Sequence, residues 1–231
     1  MPTSISTTVS KKAGFSLLEI LIALALVTIM FSLVGSYNYT QRQEVEDLLG
    51  KLDQSIGTLI DESTVKHRMT RIRIDLDDTP QKVHFEYAQR HDMTIDLELL
   101  EDKTKLTDSE RERLKKKEDD FNNNFSRISD LEGGSLEVSD RVRILGVGLV
   151  EQRVFVNSGS PSVYFFPNGE KDPAVIFLAT DSEIHYLSIS PFGFKIDKNL
   201  EKINSLTLPE EELFEEEVLD QTKEIFEEIS K

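Results

Sequence analysis

Apolar residues are spread unevenly along this chain. From Phe15 to Gly35 it reads FSLLEILIALALVTIMFSLVG, twenty-one residues with one ionisable side chain, Glu19. As a helix rising about 1.5 Å per residue, the run spans about 30 Å, the hydrocarbon thickness of a bilayer. No proline follows until Pro80, and Val45, Leu48, Leu49, Leu52, Ile56, Leu59 and Ile60 recur at helical spacing. The pattern predicts one helix from Phe15 to about Lys66, about 75 Å long, its first half in a membrane and its second packed on a head. Gly35, Gly50 and Gly57 each weaken that helix by about 1 kcal/mol relative to alanine and mark points where it could bend.

Beyond Lys66 the period becomes two. Ile72, Ile74 and Leu76 alternate with Arg71, Arg73 and Asp75, and Val83, Phe85 and Tyr87 alternate again after the turn sequence Asp77-Asp78-Thr79-Pro80, which predicts a hairpin. Further strands are expected near 142–149, 152–157, 162–166, 174–179, 184–190 and 194–197, separated by turns such as Pro167-Asn168-Gly169 and Pro191-Phe192-Gly193. The expected fold class is α+β: a long N-terminal helix packed on an antiparallel β-sheet head.

Two stretches depart from this plan. In residues 88–138, Thr107-Asp108-Ser109-Glu110 forms a capping box that opens a helix through about Phe121, with Leu114 and Phe121 its only apolar residues. A mixed charge run of this kind reads as a solvated arm. A second capping box, Thr207-Leu208-Pro209-Glu210, opens a C-terminal helix in which Leu213, Phe214, Val218, Ile225, Phe226 and Ile229 form a stripe. Such a stripe packs on its own domain by default, and a partner-facing tail is the sharper alternative. The expected organisation is therefore a leader at 1–14, a membrane helix at 15–35, an amphipathic helix at 36–66, a β-rich head at 67–200 with its insertion at 88–138, and an acidic helix at 201–231.

Charge narrows the function classes. Lys and Arg number 27 against 43 Asp and Glu, a net of −16, so a nucleic-acid binder with its basic face is disfavoured. Residues 207–231 alone carry ten acids and two lysines, a net of −8. No D-x-D-x-D-G loop gathers those acids, so no metal is expected. Zero cysteines exclude thiolate metal sites and cysteine catalysis. His67, His84, His91 and His185 lack H-E-x-x-H spacing, and neither a P-loop nor a G-x-S-x-G elbow occurs. Gly146-Val147-Gly148 lacks the third glycine of a dinucleotide fingerprint and reads as a strand or bulge. No catalytic residue and no cofactor are assigned, and the chain is not expected to be an enzyme.

The polar leader MPTSISTTVSKKAG carries only Lys11 and Lys12 as charges, and basic residues beside a first span hold that end in the cytoplasm. The apolar run is longer than the core of a secretory signal and lacks a small-x-small cleavage site. Glu19 is the residue that an ordinary anchor does not explain, because an acid within a span costs on the order of 2.5–3.5 kcal/mol at its centre and usually has a partner. A cut after Gly14 would create an amine at Phe15, about one helical turn from Glu19. In a bundle, the amine of one subunit could equally meet Glu19 of a neighbour.

Lys11-Lys12-Ala13-Gly14 followed by Phe15-Ser16-Leu17-Leu18-Glu19 and an apolar helix resembles the class III signal of type IV pilins and type II secretion pseudopilins. The resemblance implies cleavage after Gly14 by a prepilin peptidase, methylation of the new N-terminus at Phe15, and an assembly role for Glu19. It further implies partners among major and minor pseudopilins and an inner-membrane assembly platform, with the head in the periplasm. Residues 163–197, with Val163-Tyr164-Phe165-Phe166-Pro167-Asn168-Gly169 at their start, are similar to the ending of H-type minor pseudopilins and FimT-like pilins. Alternatives are an I-type or J-type minor pseudopilin, a minor type IV pilin, or a single-pass membrane-anchored periplasmic binding or adaptor domain.

Overall fold

The computed structural model describes residues 17–91, 93, 107–192, 196–203 and 211–231, with backbone alone at 33–39, 108, 111 and 211–215. Contacts divide the chain into two compact units, Met1–Thr40 and Gln41–Lys231. Helix α1, Leu17–Val65, belongs to both. In the second unit its apolar face works as the spacing predicts: Val45, Leu48, Leu49, Leu52, Ile56, Leu59 and Ile60 are all buried in one cluster. A Cβ placed on Gly50 or Gly57 would meet open space, so both glycines lie on the outer side of an uninterrupted helix. His67 takes a left-handed φ of 49° just past the helix end, and the Thr70 hydroxyl donates to the Leu59 carbonyl at 3.0 Å.

Ten strands follow: β1 (Thr70–Asp75), β2 (Lys82–Ala88), β3 (Phe125–Arg127), β4 (Ser135–Glu137), β5 (Arg143–Leu149), β6 (Val154–Val156), β7 (Ser162–Phe165), β8 (Ala174–Ala179), β9 (Glu183–Ile189) and β10 (Ile196–Lys202). The first sheet has the order β3-β2-β1-β7, with β4 also on β2; the second has the order β10-β9-β8-β5-β6. Every pairing is antiparallel, and the predicted hairpin closes with Thr70 opposite Tyr87 and Asp75 opposite Lys82. Strands β5, β7, β8 and β9 stand within a residue or so of their expected places. The last strand, expected at 194–197, instead runs from Ile196 to Lys202 along β9.

The inner faces of both sheets share one core with α1, built from Ile72, Ile74 and Phe85 on one side and Ile176, Leu178 and Leu187 on the other. Alternation puts a different set of residues on each outer face. On the second sheet these are Val175, Phe177 and Ile184, and helix α3 (Glu211–Ile229) covers them with Val218, Ile225 and Phe226. The described part of the C-terminal stripe therefore packs on its own domain. Its expected opening at Thr207 and the side chains of Leu213 and Phe214 lie outside the described residues. Gly148 gives the Phe226 ring its seat, since a Cβ there would stand 2.3 Å from Cδ2. The register shift between Ile144 and Gly146 makes the Gly146-Val147-Gly148 segment a strand with a bulge.

On the first sheet the outer face is ionic. Arg71, 1% exposed, donates from Nε to Glu86 Oε2 at 2.7 Å and from Nη1 to Asn122 Oδ1 at 2.6 Å, with its guanidinium 3.7 Å from the Phe125 ring centroid. The expectation of a solvated arm over 88–138 fits the mostly exposed charged side chains of residues 109–120 but not the end that follows them, and residues 92 and 94–106 lie outside the described residues. Helix α2 (Asp108–Asn122) does open on the Thr107 box, its Glu110 accepting the Thr107 N–H at 2.8 Å. Its other end is docked, however: Phe121 packs against Phe125 and Tyr164 at ring distances of 5.3 and 6.1 Å, and Leu114 is buried. The segment after α2 supplies β3 and β4, which pair with opposite ends of β2. Leu114, Phe121 and Asn122 anchor α2, and most of its charged side chains are exposed.

Candidate functional site

The motif residues belong to the first unit. Lys11, Lys12, Gly14 and Phe15 lie outside the described residues; Glu19 is described and stands exposed in the first turn of α1. From Leu17 to Phe31 the helix carries apolar side chains on every side, Glu19 being its one ionisable residue. Leu17 is 82% exposed and Phe31 75%, and the nine other large apolar side chains between them are exposed as well. A helix of that kind is covered by lipid or by other helices rather than by water. Covering those eleven side chains would gain on the order of 10 kcal/mol. Thr28 is no exception to the apolar character, since its hydroxyl donates to the Leu24 carbonyl at 2.8 Å and so presents a methyl outward. No helix among the described residues is long and apolar enough to cross a membrane.

Within the head, several ionisable groups are buried in pairs. Burial pushes the His84 imidazole below its usual range, against the pull of Asp75 at 2.8 Å. Asp75 is itself raised by burial, but the Ser160 bond, the Arg73 charge and His84 together hold it below the ordinary carboxylate range. His185, 3.2 Å from Glu183, is likewise lowered by burial. His91 Nδ1 lies 3.0 Å from the His67 carbonyl oxygen. The four histidines do not converge: His84 lies on β2 of the first sheet and His185 on β9 of the second. Among the described residues no group of three or more His, Asp or Glu side chains could hold a metal ion.

Sequence reasoning missed one residue of this unit with functional promise, Arg153. It ends the four-residue connection between β5 and β6 with φ at +54°. The available signal was a hairpin connection whose last position favours glycine or asparagine and holds arginine instead.

Residues 9–35 match the family described as the prokaryotic N-terminal methylation motif. No curated protein and no solved structure matches the chain. The matched segment contains Lys11, Lys12, Gly14, Phe15 and Glu19 and runs to the end of the apolar stretch. The motif implies processing by a prepilin peptidase and assembly with other pilin-like subunits, in a family that is structural rather than enzymatic. Motif and α+β fold together support a type IV pilin-like protein, pilin or pseudopilin.

Proposed function

We propose that this chain is a minor pseudopilin of a type II secretion apparatus, most like the H type, working as a structural subunit of a periplasmic pseudopilus. The observation that carries this reading is an exposed helix, apolar but for Glu19, that lies within a methylation motif. In this reading the inner membrane holds the helix, with the N-terminus in the cytoplasm and the head in the periplasm. A prepilin peptidase cuts after Gly14 and Phe15 becomes the methylated N-terminus. Loss of the two leader lysines deepens the formal charge from −16 to −18. Glu19 then meets an N-terminal amine, its own or a neighbour's, which offsets the cost of an acid in an apolar medium and favours parallel, staggered packing. The head contacts neighbouring pseudopilins.

Intact mass and N-terminal sequencing of the membrane-extracted protein, with and without prepilin peptidase, test the reading. The expected product starts at Phe15, carries one added methyl and depends on the peptidase. A chain still starting at Met1 would replace the proposal with a membrane-anchored binding domain, and a cut beyond Gly35 with a secreted one. Glu19→Ala should leave membrane insertion intact and abolish recovery of the subunit in crosslinked assemblies; normal recovery would remove Glu19 from the assembly mechanism.

A further inference from the structure

A cleft of about 500 Å³ lies in the head where the β5–β6 turn meets the end of α3. Its lining includes Phe155 and Phe226, whose rings are 6.1 Å apart, together with the cations Arg153, Lys223 and Lys231. Glu227 is the one acid in the lining. This gathering runs against the composition, in which acids outnumber bases 43 to 27.

Three further observations give the cleft a direction. The turn closes with the Arg153 N–H donating to the Val150 carbonyl at 3.3 Å, and the residue that closes it is left-handed, where glycine or asparagine is the low-strain choice. The chain keeps an arginine there, and its guanidinium makes no hydrogen bond or ion pair among the described residues. Lys223, by contrast, is already paired with Asp220 at 3.0 Å. Finally, β6 is the last strand of the second sheet, three residues long and paired only to β5, so its outer edge is open among the described residues. An open edge is a template for an added strand, and Val154 on it and Ile229 beside the cleft are exposed apolar side chains.

From these we infer that the cleft and the β6 edge together receive an extended acidic peptide segment of a protein partner. Its backbone pairs along Val154–Val156, a Glu or Asp carboxylate meets Arg153, and an apolar neighbour rests on the half-buried Phe155 ring, which Phe226 backs from the core. Arginine suits this task because its planar fork binds a carboxylate through two parallel N–H bonds. Arg153 is free for this contact: it holds a strained backbone position, and its guanidinium has no partner among the described residues. The site lies in the head and does not depend on processing at Gly14.

The test uses the full chain in zwitterionic detergent micelles at low salt. The probes are fluorescein-labelled pentapeptides, Val-Glu-Val-Glu-Phe and its counterpart Val-Gln-Val-Gln-Phe, with sodium benzoate as a small competing acid. The glutamate peptide should bind at least about tenfold more tightly than the glutamine peptide, and Arg153→Gln should erase that difference. Lys115→Gln, which removes one exposed cation from α2, should change nothing. Arg153→Gly relieves the turn, so it should raise the melting temperature while still losing the peptide; a folding defect therefore cannot account for the loss. Equal affinity for the two peptides, or an equal loss in Lys115→Gln, overturns the proposal. Benzoate binding that needs Arg153 without peptide binding overturns it too, in favour of a small organic acid.

Discussion

The two sheets of the head cover their outer faces by opposite means. The second uses area: Phe226, Val218 and Ile225 of α3 lie on Val175, Phe177 and Ile184. The first uses partners: Arg71, Glu86 and Asn122 close on one another beneath α2, and Phe125 lids the guanidinium. Apolar cover is non-directional, gains in proportion to area and gives way by degrees. Ionic cover holds only while every charge keeps its partner, because a lone buried charge is far costlier than the pair is beneficial. The outer face of the first sheet should therefore be the less forgiving of the two.

The largest effect expected from this contrast is that of Arg71→Met. It keeps much of the side-chain length but leaves Glu86, which is 5% exposed, with only the more distant Arg73 guanidinium at 4.0 Å, so the head should lose about 3 kcal/mol in denaturant unfolding. If the variant instead unfolds like the parent, the ionic face is no more fragile than the apolar one and the contrast collapses. Gly148→Ala is next: the added methyl meets the Phe226 ring and should cost about 2 kcal/mol. Limited proteolysis should then cut within α3 first, leaving the β-sheets protected.

The smallest effect concerns Asp172, in the connection between the two sheets. Burial raises its carboxyl to about 6, the Tyr164 backbone N–H opposes the rise, and the charges of Glu151 and Glu170 add to it. In the unfolded chain an aspartate releases its proton near pH 4. Between about pH 4 and 6 the native state therefore binds more protons than the unfolded one, and stability falls as pH rises through that window. Asp172→Asn should stabilise the head by about 1 kcal/mol at pH 7.5, with the gain shrinking as pH falls towards 4. A gain of equal size at pH 4.5 and 7.5 would mean that the carboxyl does not titrate in this window.

The same contrast explains what the sequence made legible. Apolar spacing gave α1, the hairpin and the long strands directly, because each buries residues at a period that its own backbone sets. The α3 stripe was legible for the same reason. Arg71, Arg73 and Asp75 read as the polar, hence solvated, side of β1; nothing in their spacing tells that α2 and Phe125 return over fifty residues later to bury Arg71. Strands β3 and β4 escaped because Phe125-Ser126-Arg127 and Ser135-Leu136-Glu137 are too short to show alternation. At the candidate site, Gly14, Phe15 and Glu19 were readable because the motif that holds them is one contiguous stretch of sequence. Arg153 was not, since its interest lies in a backbone angle and in side chains brought to it from α3.

The chain enters the head at Gln41, and the first bonds it makes there are polar. Gln41 Nε2 donates to Asp181 Oδ2 at 2.8 Å, and the Glu44 carboxylate accepts from the Ser139 hydroxyl and, at 2.6 Å, from Arg141 Nη1. The first apolar core residue, Val45, comes only after them. Traction arriving along the backbone would therefore load this clasp before it reached the core, and spread the load over the β8–β9 turn and the 139–141 loop in parallel. Hydrogen bonds are stiff over short extensions and re-form once slack returns, whereas a core that opens admits water. Under tension along the chain, this clasp would yield and re-form before the core of the head opened.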